Sequence, residues 1–283
     1  MIPKNRWAML SIVSLFVLPA AVTVLAFLAL ATADPADIVA GTPLVVVPTA
    51  TAPPPTVTPT AQPDPNEIYR AAMAAYESGD YALAEERFRT VLVLAPEDAI
   101  SHNSLGLTLV QQGRLEEAIA EYKMAVTLDP ALVEAHYNLG MAHHALEQWA
   151  EAEMAYQAAL AADPTLALAH NGLGNLYQDQ GQAEAALAAY QLAVTHDPEL
   201  VEAHLNLGVA YANRGDFEQA VIALETAVTL DPANGLAYYS LGVVYAYQGD
   251  SERARQSFER VLTLSPSDQL AQQARQQLEQ LQH

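Results

Sequence analysis

Four histidines recur at steps of 34 residues: His102, His136, His170 and His204. Imidazoles in a row could ligate a metal ion or titrate together near neutral pH. If each step of 34 is one structural layer, neighbouring layers lie about a helix diameter apart, roughly 10 Å. Zinc ligands sit only about 2 Å from the metal, so rings in successive layers are too far apart to share one ion. The row is expected to consist of packing histidines, each with one satisfied nitrogen, and a pH-sensitive stack is the alternative. His143 and His144 are adjacent, so on a helix they point about 100° apart and make a poor chelate. The acidic side chains are plentiful but fall on solvated helix faces. No nucleophile-elbow, phosphate-loop or metal-binding helix motif is present. The chain has no cysteine, which excludes disulfides, thiolate metal sites, a cysteine nucleophile and a lipid anchor on cysteine. No catalytic residue, metal or cofactor is assigned, and the chain reads as non-enzymatic.

The elements that carry these residues follow from one period. Prolines fall at Pro96, Pro130, Pro164, Pro198, Pro232 and Pro266, and glycines at Gly106, Gly140, Gly174, Gly208 and Gly242. A second glycine series, Gly79, Gly113, Gly181, Gly215 and Gly249, has Glu147 at its missing place. Alanines repeat at Ala84, Ala118, Ala152, Ala186, Ala220 and Ala254. Four series sharing one step mark internal repeats. Within one period, residues 133–146 and 150–163 are each of helix length. The glycine between such helices supplies the left-handed residue that ends the first. Proline after Asp163 ends the second, because the residue before proline avoids the α region. Gly140 and Ala152 are small so that the two helices can approach, and Tyr156 and Ala159 fill the space against them. No single pair can bury its apolar face alone, so the pairs must stack.

This pattern resembles the tetratricopeptide repeat family. The correspondence runs through Leu173, Gly174, Tyr177, Ala186, Tyr190, Ala193 and Pro198, and through Leu241, Gly242, Tyr245, Ala254, Phe258, Val261 and Pro266. The resemblance implies an all-α, right-handed α-solenoid of six helix pairs at 65–98, 99–132, 133–166, 167–200, 201–234 and 235–268. Residues 269–283 read as a capping helix. Two departures stand out. Ala71 and Ala72 replace Leu-Gly in the first repeat, and Glu147 either holds a left-handed turn or forces the turn to be rebuilt. The resemblance also implies a concave groove lined by first helices, where the family binds extended peptides. The residues expected there are Tyr69, Met73, Tyr76, Asn103, Tyr137, Met141, Asn171, Asn175, Gln178, Asn213, Tyr239 and Tyr247, with Asn138 and Asn206 adding to the row. Asparagine can both donate to and accept from a peptide backbone, while tyrosine and methionine give apolar contact. Lys123, the one lysine among the repeats, falls on a second helix, so the cationic carboxylate clamp of some relatives is not evident.

Residues 1–6 carry Lys4 and Arg6, and residues 7–33 (WAMLSIVSLFVLPAAVTVLAFLALATA) carry no charge. About 20 apolar residues cross a bilayer core, so this run is expected to be a transmembrane signal anchor. The flanking charges place the N-terminus in the cytoplasm and the rest of the chain outside. Ala31-Thr32-Ala33 offers the alternative of cleavage near Ala33 and secretion. Residues 34–64 read as a disordered, Pro/Thr-rich linker, and the extended segment 41–65 that overlaps it could span up to ~75 Å.

The formal net charge is −21, and residues 65–283 hold 10 basic against 30 acidic side chains. Such a surface repels phosphate backbones, so no nucleic acid is expected as partner. The sequence therefore reads as a protein-binding scaffold tethered to the cytoplasmic membrane, taking neutral or basic segments of partner proteins in preference to acidic ones. The alternatives are an envelope glycan- or polymer-binding module, with the groove aromatics stacking on sugars, and an accessory subunit of an enzyme carried on another chain.

Overall fold

The computed structural model describes residues 63–264 and 269–281. The expected membrane span at 7–33, the linker up to residue 62, the candidate cleavage point at Ala33, and Pro266 lie outside the described residues. Among the described residues, no helix is long and apolar enough to cross a membrane.

Thirteen α-helices and no strand make up the described residues. They run as six pairs: α1 (Pro65–Glu77) with α2 (Tyr81–Leu94), α3 (Ala99–Gln111) with α4 (Leu115–Leu128), α5 (Val133–Ala145) with α6 (Trp149–Ala162), α7 (Ala167–Asp179) with α8 (Ala183–His196), α9 (Val201–Arg214) with α10 (Phe217–Leu230), and α11 (Gly235–Gln248) with α12 (Ser251–Leu264). A thirteenth helix, α13 (Gln269–Gln280), follows. Each second helix packs on its own first helix and on the first helix of the next pair. Successive first helices also meet, as α3 with α5, α5 with α7 and α7 with α9. Successive second helices do not pack comparably, so the stack is a solenoid with first helices on its inner side and second helices on its outer side.

The punctuation that divides the helices has a local cause. Asp129, Asp163, Asp197 and Asp231 each end a second helix. Each accepts, at Oδ1, the backbone N–H two residues on, at 2.9–3.0 Å. The intervening proline has no N–H to continue the helix, so this Asx turn closes each pair. Within pairs, Gly79, Gly113, Gly181, Gly215 and Gly249 hold φ of 73–91°, and Glu147 holds the same left-handed region at φ 56°. The missing glycine therefore leaves the turn intact and strains one residue instead. A non-glycine residue in this region costs roughly 1–2 kcal/mol. Glu147→Gly is expected to stabilise the protein by about 1 kcal/mol, raising Tm by about 2–4 °C in a thermal unfolding scan. A lowered Tm would show that the Glu147 side chain contributes more than its backbone strain.

Between paired helices the fit is steric. A Cβ on Gly140 would lie 2.6 Å from Tyr156 Cδ1, and one on Gly242 would lie 2.6 Å from Phe258 Cε1. Ala84, Ala118, Ala152, Ala186, Ala220 and Ala254 are buried opposite these close approaches. Tyr156 also faces Gly172 of the next pair, where a Cβ would lie 2.9 Å from its Cε1 and Cζ. One aromatic ring thus occupies space that two glycines leave open, and it joins the third pair to the fourth. At the far end, Leu270 and Leu278 of α13 pack against the core around Phe258 and Tyr239. The outer face of α13 is mostly glutamine, which ends the stack with a polar surface.

Candidate functional site

The inner helices are distinctive in charge. In α3, α5, α7, α9 and α11 the Asp, Glu, Lys and Arg side chains are confined to Glu134, Asp179, Glu202 and Arg214. All four sit at helix ends, so the middle of the inner surface from α3 to α11 is uncharged, while α1 carries Arg70 in its middle. The acidic excess of the chain is carried by the outer helices and the rims. An electrically quiet strip in a domain with 10 basic and 30 acidic side chains avoids repelling a bound chain and offers dipoles instead of charges.

Those dipoles form a ladder. Tyr69 Oη lies 3.0 Å from Ser104 Oγ. Asn138 Nδ2 donates to Asn103 Oδ1 at 2.9 Å. Asn206 Nδ2 donates to Asn171 Oδ1 and to Asn175 Oδ1, both at 3.0 Å. The Tyr190 hydroxyl donates to Asn175 Oδ1 at 2.8 Å and, longer, to Gln178 Oε1 at 3.4 Å. The cross-repeat rungs at 69–104, 103–138 and 171–206 each step by 35 residues, one more than the period. Stacked inner helices are offset by one residue, so a side chain meets the position after its own in the next repeat.

The expected row of asparagines is thus internally bonded. Asn103, Asn138 and Asn171 are buried, and the asparagines bind one another. Each uses only part of its amide in doing so. No buried side-chain nitrogen or oxygen of the described residues lacks a partner. Asn103 Nδ2 and Asn138 Oδ1, which take no hydrogen bond among the described residues, therefore reach solvent. The same holds for Asn171 Nδ2, Asn175 Nδ2 and Asn206 Oδ1. The inner face presents donors and acceptors held in place by the ladder behind them.

Tyr239 lies deeper than the other expected groove residues. Its side chain is only 1% exposed and packs against the Phe258 ring, so it forms core beneath the groove and offers no open aromatic face. Tyr69, Met73, Tyr76, Tyr137, Met141, Asn175, Gln178 and Asn206 are half-buried on the inner helices, and Asn213 and Tyr247 are exposed near helix ends. Tyr247 stacks on Phe217, their ring centres 5.7 Å apart. Burial, with a smaller contribution from Glu202, pushes the Tyr137 hydroxyl up to about 12. It therefore stays protonated across the physiological range. Ser104 belongs to the ladder and was missed by reading the sequence at steps of 34; a search at 35 would have found it.

The histidine row is structural. Nε2 of His102, His136, His170 and His204 lies 3.2, 3.0, 3.0 and 2.9 Å from the carbonyl oxygen of the proline six residues before. Each imidazole N–H thus caps the turn that its own proline opens, after Asp in three cases and after Ala95 in the first. His102 adds Glu121 at 2.7 Å through Nδ1, and His170 stacks on His196 at 5.1 Å. No cluster of three or more candidate metal ligands occurs among the described residues.

Family models described as TPR repeat and tetratricopeptide repeat match residues 106–147, 133–166, 171–235 and 213–269. Together they span more than half of the chain. No curated protein matches the sequence. Among solved structures, the chain is similar to the Cut9–Hcn1 hetero-tetramer of the APC/C at 18% identity and a TM-score of 0.67. That match covers 77% of this chain and 43% of the other, so this chain spans less than half its length. It is also similar to PilW, a type IV pilus biogenesis factor, at 18% identity and a TM-score of 0.67, over 74% of this chain and 97% of that one. Similarity to YrrB, described as a TPR protein with an unusual peptide-binding site, reaches 28% identity and a TM-score of 0.53, over 68% of this chain and all of that one.

Proposed function

The chain belongs to the tetratricopeptide repeat proteins, and from that premise we propose that it is a non-enzymatic scaffold that holds an extended segment of a partner protein along its inner helices. The observation that carries this reading is the amide ladder. Asn103, Asn138, Asn171, Asn175 and Asn206 are locked to one another on one side and open to solvent on the other. A partner segment that is uncharged in its middle suits the uncharged helix centres. Basic residues at its flanks suit Glu134, Asp179 and Glu202 at the rims. The peptide-binding site named for YrrB supports the same reading. Half-buried Tyr137 and Met141 would add apolar contact.

The same proposal places the solenoid outside the cytoplasmic membrane, tethered by residues 7–33 with the N-terminus inside. It rests on the uncharged run and on Lys4 and Arg6 before it. A chain that resists alkaline extraction of membranes, and whose repeats are digested by protease added outside intact spheroplasts, would bear this out. A mature N-terminus at Asp34 in the medium would replace the tether with secretion.

The binding test uses photoreactive residues at Met141 and Gln178 on the inner face, with Gln256 on outer helix α12 as control, in intact membranes. Adducts to one protein, formed from the inner positions and absent from position 256, are expected. Equal, diffuse labelling from all three positions would sink the groove reading.

A further inference from the structure

The outer helices carry a second organised surface. Four large apolar side chains stand exposed on consecutive second helices: Met124 on α4 at 47%, Met154 on α6 at 67%, Leu192 on α8 at 46% and Ile222 on α10 at 65%. Four such residues recur on the outer face of an acidic chain, and exposed apolar groups gathered on one face are of the kind that marks an interface. The patch has ends. On α2 the equivalent positions are Glu86 and Thr90, and on α12 they are Gln256 and Arg260.

Within the patch, size alternates. Two positions one helical turn apart face outward on each helix. They read small then large on α4 (Ala120, Met124), and large then small on α6 (Met154, Ala158). They read small then large again on α8 (Ala188, Leu192), and large then small on α10 (Ile222, Thr226). A half-turn about an axis parallel to these helices, passing between α6 and α8, lays α6 on α8 and α4 on α10. Every large residue then meets a small one: Met154 with Ala188, Leu192 with Ala158, Met124 with Thr226 and Ile222 with Ala120. One pair of opposite charges also follows the same operation. At the ninth helix position Lys123, the one lysine between residues 65 and 283, comes opposite Glu225, whose carboxylate also accepts from the Tyr245 hydroxyl, and Gln157 comes opposite Gln191, while at the second position Glu116 comes opposite Glu218. Lys123, Glu225, Gln157 and Gln191 are all exposed.

We propose that this face binds a second copy of the chain, outer face to outer face, through that two-fold axis. Such a contact is self-complementary, as a closed two-fold interface must be. It leaves both inner grooves open and pointing away from each other, so the dimer is a bivalent scaffold whose grip on a repetitive or clustered partner gains from avidity.

The absence of cysteine makes the test clean. Two differently tagged full-length chains are co-expressed, one with Met154→Cys and the other with Ala188→Cys, and treated in membranes with a short thiol-to-thiol crosslinker. A crosslinked heterodimer is expected, about tenfold above the pairing of Met154→Cys with Gln256→Cys. In detergent solution, Lys123→Glu is expected to weaken dimerisation about tenfold, and the double variant Lys123→Glu/Glu225→Lys to restore it. Circular dichroism of each variant checks that the helices persist. A wild-type protein that sediments as a monomer, crosslinking no greater than the control, or crosslinks from position 154 to another protein only, overturns the proposal. So does a Lys123→Glu/Glu225→Lys chain that dimerises no better than Lys123→Glu.

Discussion

Tyr156→Ala lowers the unfolding free energy by about 3–5 kcal/mol, the range for removing a large buried aromatic side chain. The ring of Tyr156 is the piece that fills the approach between α5 and α6, and it also covers Gly172 on α7. Its removal opens space on both sides of the junction between the third and fourth pairs. In a linear array each repeat is held chiefly by its neighbours, so a weak central junction uncouples the halves. Urea unfolding followed by circular dichroism should shift to a lower midpoint and split into two phases. No bonding partner holds the Tyr156 hydroxyl among the hydrogen bonds that organise the groove, so Tyr156→Phe should change stability by less than about 1 kcal/mol. An unchanged midpoint for Tyr156→Ala would mean that the junction does not depend on this ring.

Gly140→Ala sets two forces against each other. Helix propensity alone favours alanine by about 1 kcal/mol in a helix interior. The close approach opposes it, because the new methyl would lie 2.6 Å from Tyr156 Cδ1. Overpacking of this kind typically costs about 1–3 kcal/mol, so the substitution is expected to destabilise. The cause is separable by a double-mutant cycle. In the Tyr156→Ala background the clash is gone, and Gly140→Ala should become neutral or stabilising by up to about 1 kcal/mol. If the substitution destabilises equally in both backgrounds, the glycine serves the backbone and not the fit against Tyr156.

Much of the architecture was legible from residue type and spacing. Proline and left-handed glycine act through their own backbone, so Pro130 and Gly113 mark helix ends wherever they stand. The pairing of Gly140 with Tyr156 was likewise readable, because a small residue in one helix requires a large one facing it. Glu147 shows the limit of local reading. Sequence allowed either a left-handed glutamate or a rebuilt turn, and the packing of α5 on α6 settled on the first, at φ 56°.

The sequence by itself determined a 34-residue helical pair repeated six times, with the acidic excess kept off the middles of the first helices. Each of those facts depends on the chemistry of a residue and its near neighbours. Tertiary structure alone decided which amides meet and which side chains remain open. Asn103 binds Asn138 and Asn171 binds Asn206 because stacked helices are offset by one residue, an offset that the period does not contain. Tyr239 closes over Phe258 while Met154 stands in solvent, although both are large and apolar. Burial depends on what packs against a residue from another repeat, and that is set by the geometry of stacking.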